Sequence, residues 1–243
     1  MKQVKHIFLR ELRAYFATPL AYVFVVIFLA LMGAFTFYLG GFFERGQADL
    51  QSFFVWHPWL YLFLVPALGM RLWAEENKTG TIELLLTQPV SIVEVMSGKF
   101  FAAWTMIALS LGLTFPIWLT VNILGSPDNG VIFSAYLGSL LMAAAFLAVS
   151  TAFSAITSNL VSAFILSIVC CFVFLLSGYP LVLDSFRGWL PDVAVSAISY
   201  LSFLRHFDSS LKGMLDLRSI VFFITFSFLW LWIGTRIVAC KRT

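Results

Sequence analysis

Ser177 and His206 are the residues of this chain that could be imagined as a nucleophile and its general base. That chemistry needs the two side chains within hydrogen-bond reach. Ser177 closes a long apolar run and reads as lining a helix end; His206 reads as one polar group among several in a loop. No HExxH metalloprotease pattern and no GxSxG nucleophile elbow occurs. His57 directly precedes Pro58 and reads as an interfacial polar residue. Cys170, Cys171 and Cys240 have no CxxC or Cys/His spacing, so neither a disulfide framework nor a zinc site is indicated. A GxxxxGK(S/T) phosphate loop is also missing. No catalytic residue, metal site or cofactor is therefore expected in this chain, and any ATP would have to be hydrolysed by another.

The charged residues are few and clustered, and their pattern suits docking. Segment 71–89 places Arg71, Glu75, Glu76 and Lys78 before Gly80, then Thr81, Glu83, Leu84 and Leu85 before Pro89. Gly80 can end one helical stretch and Thr81 can cap the next. Residues 81–86 then read as a short amphipathic helix stopped ahead of Pro89. Acidic and apolar side chains together fit a soluble partner, although the residues alone also allow a solvated hairpin. Residues 1–17 form a second charged segment. On a 3.6-residue period Val4, Ile7, Phe8, Leu12, Tyr15 and Phe16 share one face, opposite Lys2, His6, Arg10 and Arg13, with Lys5 near the edge. Such a helix lies in a membrane interface with its cations toward anionic headgroups. Glu11 intrudes on the apolar side. A buried carboxylate needs a partner, and Arg71 is one candidate cation.

The elements that must hold these segments are membrane helices. Of the 243 residues 61% are hydrophobic and 11% charged. Soluble domains carry about 25% charge, so the solvent here is largely lipid. A crossing needs about 20 apolar residues for about 30 Å of hydrocarbon. Stretches 20–43, 53–73, 100–124, 132–153, 160–179 and 219–238 qualify. The first is too long and bulky for a cleaved signal peptide. Each must be helical, since backbone groups in lipid need partners within the segment. The expected fold is an all-α membrane protein of six transmembrane helices in one domain, 1–243. An even number puts both termini on one side, with Lys2, Lys5, Arg10, Arg13, Arg71, Lys78, Lys99, Arg236, Lys241 and Arg242. The other side holds Arg45, Arg187, Arg205, Lys212 and Arg218. The excess places both termini in the cytoplasm, and no basic run is long enough for nucleic acid.

Two loops are large: a cytoplasmic one at 74–98 and an external one at 180–218. The external loop carries Leu183, Phe186, Trp189 and Leu190 among other apolar residues, too many for a free linker, and predicts short helices dipping into the outer interface. Pro58, Pro66 and Pro116 should bend their spans. In the fourth span Ala135, Ser139 and Ala143, and again Ala144, Ala148 and Ala152, recur every four residues. Small stripes let helices approach closely, here within the chain or at a subunit interface.

The stretch with Glu75, Glu76, Lys78, Gly80, Thr81, Glu83, Leu84, Leu85 and Pro89, and with Lys99 opening the next helix, resembles the signature of ABC-2-type permeases. Residues 10–23 and 208–218 are similar to the gliding-motility-type subgroup, with Ala17-Thr18-Pro19 where Ser-Pro is commoner. The resemblance covers essentially the whole chain. It implies that residues 1–17, with Lys5, Arg10, Glu11 and Arg13, form an elbow helix. Residues 81–86 would be a coupling helix seated in a separate ATP-binding-cassette ATPase, which would use ATP and Mg. The external loop would form re-entrant helices closing an exit. Two permease copies, or one and a paralogue, would work with two ATPases in a bacterial inner membrane, in contact with lipid and open to accessory membrane or periplasmic proteins. The implied activity is export by alternating access.

Two rivals stand beside that reading. A channel or ion-coupled transporter would place ionisable residues within its spans; none falls near a span centre, and Glu44, Arg71 and Arg236 lie at ends. A passive lipid path or an assembly factor is compatible with the residues. The span interiors offer aromatic and small hydroxyl groups, favouring an apolar or amphipathic cargo.

Overall fold

A computed structural model of the chain describes residues 2–82, 90–186, 191–214 and 216–241, and among these every regular element is helical. Helix α1 (Lys2–Ala17) is separated from α2 (Pro19–Ala34) by one extended residue, Thr18. The Thr18 hydroxyl folds back onto the Ala14 and Tyr15 carbonyls. Pro19 then starts α2, where its missing N–H costs nothing. A π-helical turn, Phe35–Leu39, extends α2.

The second passage is built in three pieces: α3 (Gln51–Phe54), α4 (His57–Gly69) and α5 (Arg71–Thr79). The third comprises α6 (Ile92–Gly112) and α7 (Phe115–Leu124). The expected proline bends are present. Pro58 and Pro116 occupy the first turns of α4 and α7, so each break falls just before the proline. Pro66 lies inside α4, and the chain opens four residues later at Met70. Ser154 enters that opening: its hydroxyl accepts the Trp73 and Ala74 amides at 3.0 and 2.9 Å and donates to the Met70 carbonyl at 2.7 Å. An inserted side chain that satisfies the freed backbone groups is a recognised cause of a kink.

Helix α8 (Asn129–Ile156) is the axis of the molecule, and α4, α5, α6, α9 (Leu160–Leu176) and α13 (Leu217–Cys240) all pack on it. Ala135, Ser139, Ala143, Ala144, Ala148 and Ala152 are all buried, so the small stripe is used inside the chain. Against it, a Cβ on Gly69 would come within 2.6 Å of the Ser150 Cβ, and one on Gly234 within 3.3 Å of the Ala152 Cα.

Among the described residues five helical passages are long and apolar enough to cross a membrane: Pro19–Leu39, Gln51–Thr79, Ile92–Leu124, Asn129–Ile156 and Leu217–Cys240. The expected crossing at 160–179 is a shorter helix of 17 residues, about 26 Å at 1.5 Å per residue. Its end is continued by packing rather than by chain. The 180–218 loop forms α10 (Pro180–Phe186), α11 (Asp192–Tyr200) and α12 (Phe203–Leu211). Ser202 donates to the Leu175 carbonyl at 3.3 Å, and Phe203 stacks on Phe174 and meets Phe146 at 5.1 Å. At the far end of α12 the Ser210 carbonyl accepts from Ser134 at 2.6 Å. Helix α12 therefore lies along α8 from Phe146 back to Ser134.

Three expectations need correction. Most of the 74–98 loop is helix: buried Leu72, Trp73 and Ala74 carry the second passage on to Thr79, and a Ser91/Glu94 capping box starts α6 at Ile92. Lys99 thus stands two turns inside α6 instead of opening it. His57 is not interfacial but fully buried, ringed by Phe28, Phe53, Phe54 and Tyr61 and bonded through Nδ1 to the Phe53 carbonyl at 3.2 Å.

Candidate functional site: a charged node where three helices meet

Helix α1 presents Val4, Ile7, Phe8, Leu12 and Tyr15 inward and leaves Lys5, His6, Arg10 and Arg13 exposed. Its inner face meets α6 where Gly98 clears the way; a Cβ there would lie 2.7 Å from an Ile7 methyl. That close approach brings Glu11 to Lys99. The Lys99 side chain is 4% exposed; its Nζ is 2.7 Å from Glu76 Oε1 and 3.7 Å from Glu11 Oε1. It also faces the Trp73 ring at 5.5 Å, and the Trp73 indole N–H points at the Met96 sulfur, 3.2 Å away. The ammonium thus joins α1, α5 and α6. A charge so buried is tolerated only when paired, and the pairing fixes the three helices relative to one another.

Glu11 was expected to meet a distant cation, with Arg71 as a candidate. It meets Lys99 and its own neighbour Arg10, at 2.8 Å, while Arg71 grips Glu75 through two 3.0 Å bonds. Glu11, Arg71, Glu75, Glu76 and Lys99 surround a cavity of about 290 Å3, which Tyr15 and Thr18 also line. Burial, reinforced by Glu11, pushes the Tyr15 hydroxyl well above the usual phenol range, so it stays protonated. Among the described residues the second oxygen of Glu76 is buried without a hydrogen-bond donor.

The same end of the bundle is closed by caps on α8. The Asn77 amide reaches the Thr157 carbonyl at 3.2 Å, and Lys241 donates to the Ala155 carbonyl at 2.8 Å. Burial lowers the Lys241 ammonium from its ordinary range. Helix α5 ends at Gly80, whose φ of +71° favours glycine. Exposed Lys78 stands in its last turn, where a cation suits the helix dipole. Thr81 shares a hydroxyl bond with Thr79 at 2.9 Å, and Thr81 and Ile82 begin a helical turn. Glu83, Leu84, Leu85 and Pro89 lie outside the described residues, as do Trp189 and Leu190 of the external loop and the side chain of Phe186; Leu183 is half-buried in α10.

The node gathers cations and carboxylates of three helices in ion-paired contact, with the Tyr15 phenol lining the same cavity. Ser177 and His206 are not bonded to each other: Ser177 donates to Phe174, while His206 binds Ser219 and the Tyr200 carbonyl. Ser154 and Asn77 carry no signal in the local pattern, because their roles depend on long-range backbone partners. Lys99 stood out only through the family resemblance.

Residues 13–178, well over half the chain, match the ABC-2 family transporter proteins. A search of curated proteins finds no significant match. Members of the matched family are membrane components of ATP-binding-cassette transporters, distinct from the ATPase with which they associate. With its long apolar helices, this multi-pass membrane chain belongs to the ABC-2 family of transporter permeases.

Proposed function

We propose that the chain is the permease of an ATP-driven exporter and that the Lys99 node relays the state of its ATPase. The observation that carries this reading is the ion-paired contact of Lys99 with Glu76 and Glu11. Glu76 lies four residues before Gly80, where the acidic–apolar segment 81–89 begins. A push on that segment would reach the elbow helix and α6 through one rigid cluster. Closure of the ATPase dimer on ATP and Mg would move the coupling helix 81–86. The bundle would then rock between inward- and outward-facing states. Helix α9 serves as the sixth crossing with α12 packed at its outer end, and both termini face the cytoplasm of a bacterial inner membrane. Two copies pair around the path.

The test is a mild-detergent pull-down of tagged protein from native membranes, with mass spectrometry of the captured chains. A stoichiometric ATP-binding-cassette ATPase is expected, and Glu83→Lys should reduce its recovery about tenfold, the equivalent of about 1.4 kcal/mol, while leaving the permease folded. Failure to recover an ATPase, even after cross-linking at Glu83, would overturn the exporter reading in favour of a passive lipid path.

A further inference from the structure

The end of the bundle opposite the node holds a cavity of about 610 Å3, between the start of α4, the end of α9 and α12. Small-ligand sites span about 300–1,000 Å3. One wall is apolar and aromatic, with Val55, Pro58, Trp59 and Tyr179. The facing wall, from α12, carries Arg205, Asp208 and Lys212.

The cationic wall is held in place. The Arg205 guanidinium lies 4.1 Å over the Tyr200 ring and donates to Ser199 Oγ at 2.7 Å. These contacts leave most of its five N–H donors unused. Neither Arg205 nor Lys212 forms an ion pair among the described residues. Burial pushes the Asp208 carboxyl up, against the pull of Lys212, which weakens the one negative charge on this wall. Beneath it, His206 stacks on Phe222 at 4.0 Å and ties α12 to the Tyr200 carbonyl and to Ser219. Gly178 lets the start of α12 close on the end of α9, since a Cβ there would lie 2.5 Å from the Ser202 Cβ.

The geometry points to a binding site for an amphiphile with an anionic, phosphate-class head, seated between Arg205 and Lys212, and an apolar tail lying along Trp59 and Tyr179. A neutral apolar molecule would leave two cations unanswered, and a bare anion would not use the aromatic wall. Guanidinium and ammonium suit phosphate oxygens. The same chemistry could come from a membrane lipid or from free phosphate, which the test separates. Because binding is measured without an ATPase, the site stands or falls independently of the exporter reading.

The full-length protein in detergent micelles would be examined by native mass spectrometry with three probes: dioleoyl phosphatidylglycerol, dioleoyl phosphatidylcholine and inorganic phosphate. The wild type should retain phosphatidylglycerol under conditions that strip phosphatidylcholine, and millimolar phosphate should not displace it. Arg205→Gln with Lys212→Gln should lower retention at least tenfold. The charge-preserving Arg205→Lys with Lys212→Arg should restore most of it, which also controls for misfolding. Arg45→Gln with Arg218→Gln, which removes two other cations outside the cavity lining, should change nothing. Equal retention of the two lipids, unchanged retention in the glutamine pair, an equal loss in the Arg45/Arg218 pair, or displacement by phosphate alone would each overturn the site.

Discussion

Lys99 is 4% exposed, so its two carboxylates decide what it contributes. Lys99→Met would leave Glu76 and Glu11, 20% and 18% exposed, facing each other without their shared cation. Removing one member of a buried ion pair costs about 3–5 kcal/mol. The lower end is expected here because the carboxylates keep some hydration and Arg10 stays on Glu11. Adding Glu76→Gln removes the stranded charge, so the double variant should recover about 1–2 kcal/mol of that loss. Denaturant unfolding in micelles checks this, and strictly additive losses would show that the pair is not coupled. His206 gives a second test of a residue-level environment. Its Nε2–H donates to the Tyr200 carbonyl at 2.8 Å, so Nδ1 accepts from Ser219. Burial lowers its pKa, with Arg205 acting in the same direction and the Tyr200 carbonyl and Asp216 opposing. A histidine whose folded pKa is lowered gives stability that is full above the unfolded value near 6.5 and is lost as pH falls below it toward the folded pKa. Protection factors across 200–211, taken against the intrinsic exchange rate at each pH, should therefore fall below about pH 6.5, and His206→Gln should flatten that dependence. An unchanged pH profile in the variant would remove His206 as its source.

The bend between α4 and α5 has its cause on another helix. Pro66 supplies the weakness, but Ser154 on α8 supplies the replacement bonds. Ser154→Ala would strand two buried amides and a carbonyl, at about 1–3 kcal/mol for an unsatisfied buried group. The amides of Trp73 and Ala74 should then exchange faster while those in mid-α8 do not; protection retained at both would show that the helix closes on itself without the serine. This long-range bond explains what the sequence could and could not disclose. The amphipathic face of α1, the proline breaks at Pro58 and Pro116, the packed stripe from Ala135 to Ala152 and the short external helices were all legible, because each follows from local pattern. Three features were not. The extension of the second passage to Thr79 depends on Leu72, Trp73 and Ala74 being covered by other helices. The shortness of Leu160–Leu176 is understandable only once Phe203 is seen seated at its end. The partner of Glu11 depends on Gly98 admitting α1, a contact across some ninety residues of sequence. Charge pattern announced that Glu11 needed a cation but could not say which one the packing would deliver.

Both described ends of the chain lie at the same end of the bundle. Helix α1 packs against the beginning of α6, and Lys241 caps the last turn of α8. The start of α13 lies at the opposite end, where Ser219 meets Ser209 beneath α12. The chain must therefore cross between the two ends after α8 and before α13, and α9 is the helix that does so. Five long passages alone would leave the termini on opposite sides; the crossing proposed for α9 makes the number even. The node end carries Lys5, Arg10, Arg13, Lys78, Lys99 and Lys241, against Arg45, Arg205, Lys212 and Arg218 at the other, and the proposed orientation puts this basic excess in the cytoplasm. In a background with Cys170, Cys171 and Cys240 replaced by alanine, Lys5→Cys and Val193→Cys report the two ends; Val193 is 82% exposed, which makes it accessible to a reagent. A membrane-impermeant maleimide should label Val193→Cys in intact spheroplasts and Lys5→Cys only after lysis. The reverse pattern would invert the orientation and place the acidic–apolar segment 81–89 where no cytoplasmic ATPase could reach it. Labelling of both in intact spheroplasts would mean that α9 does not complete a crossing, and the six-passage architecture would fall with it.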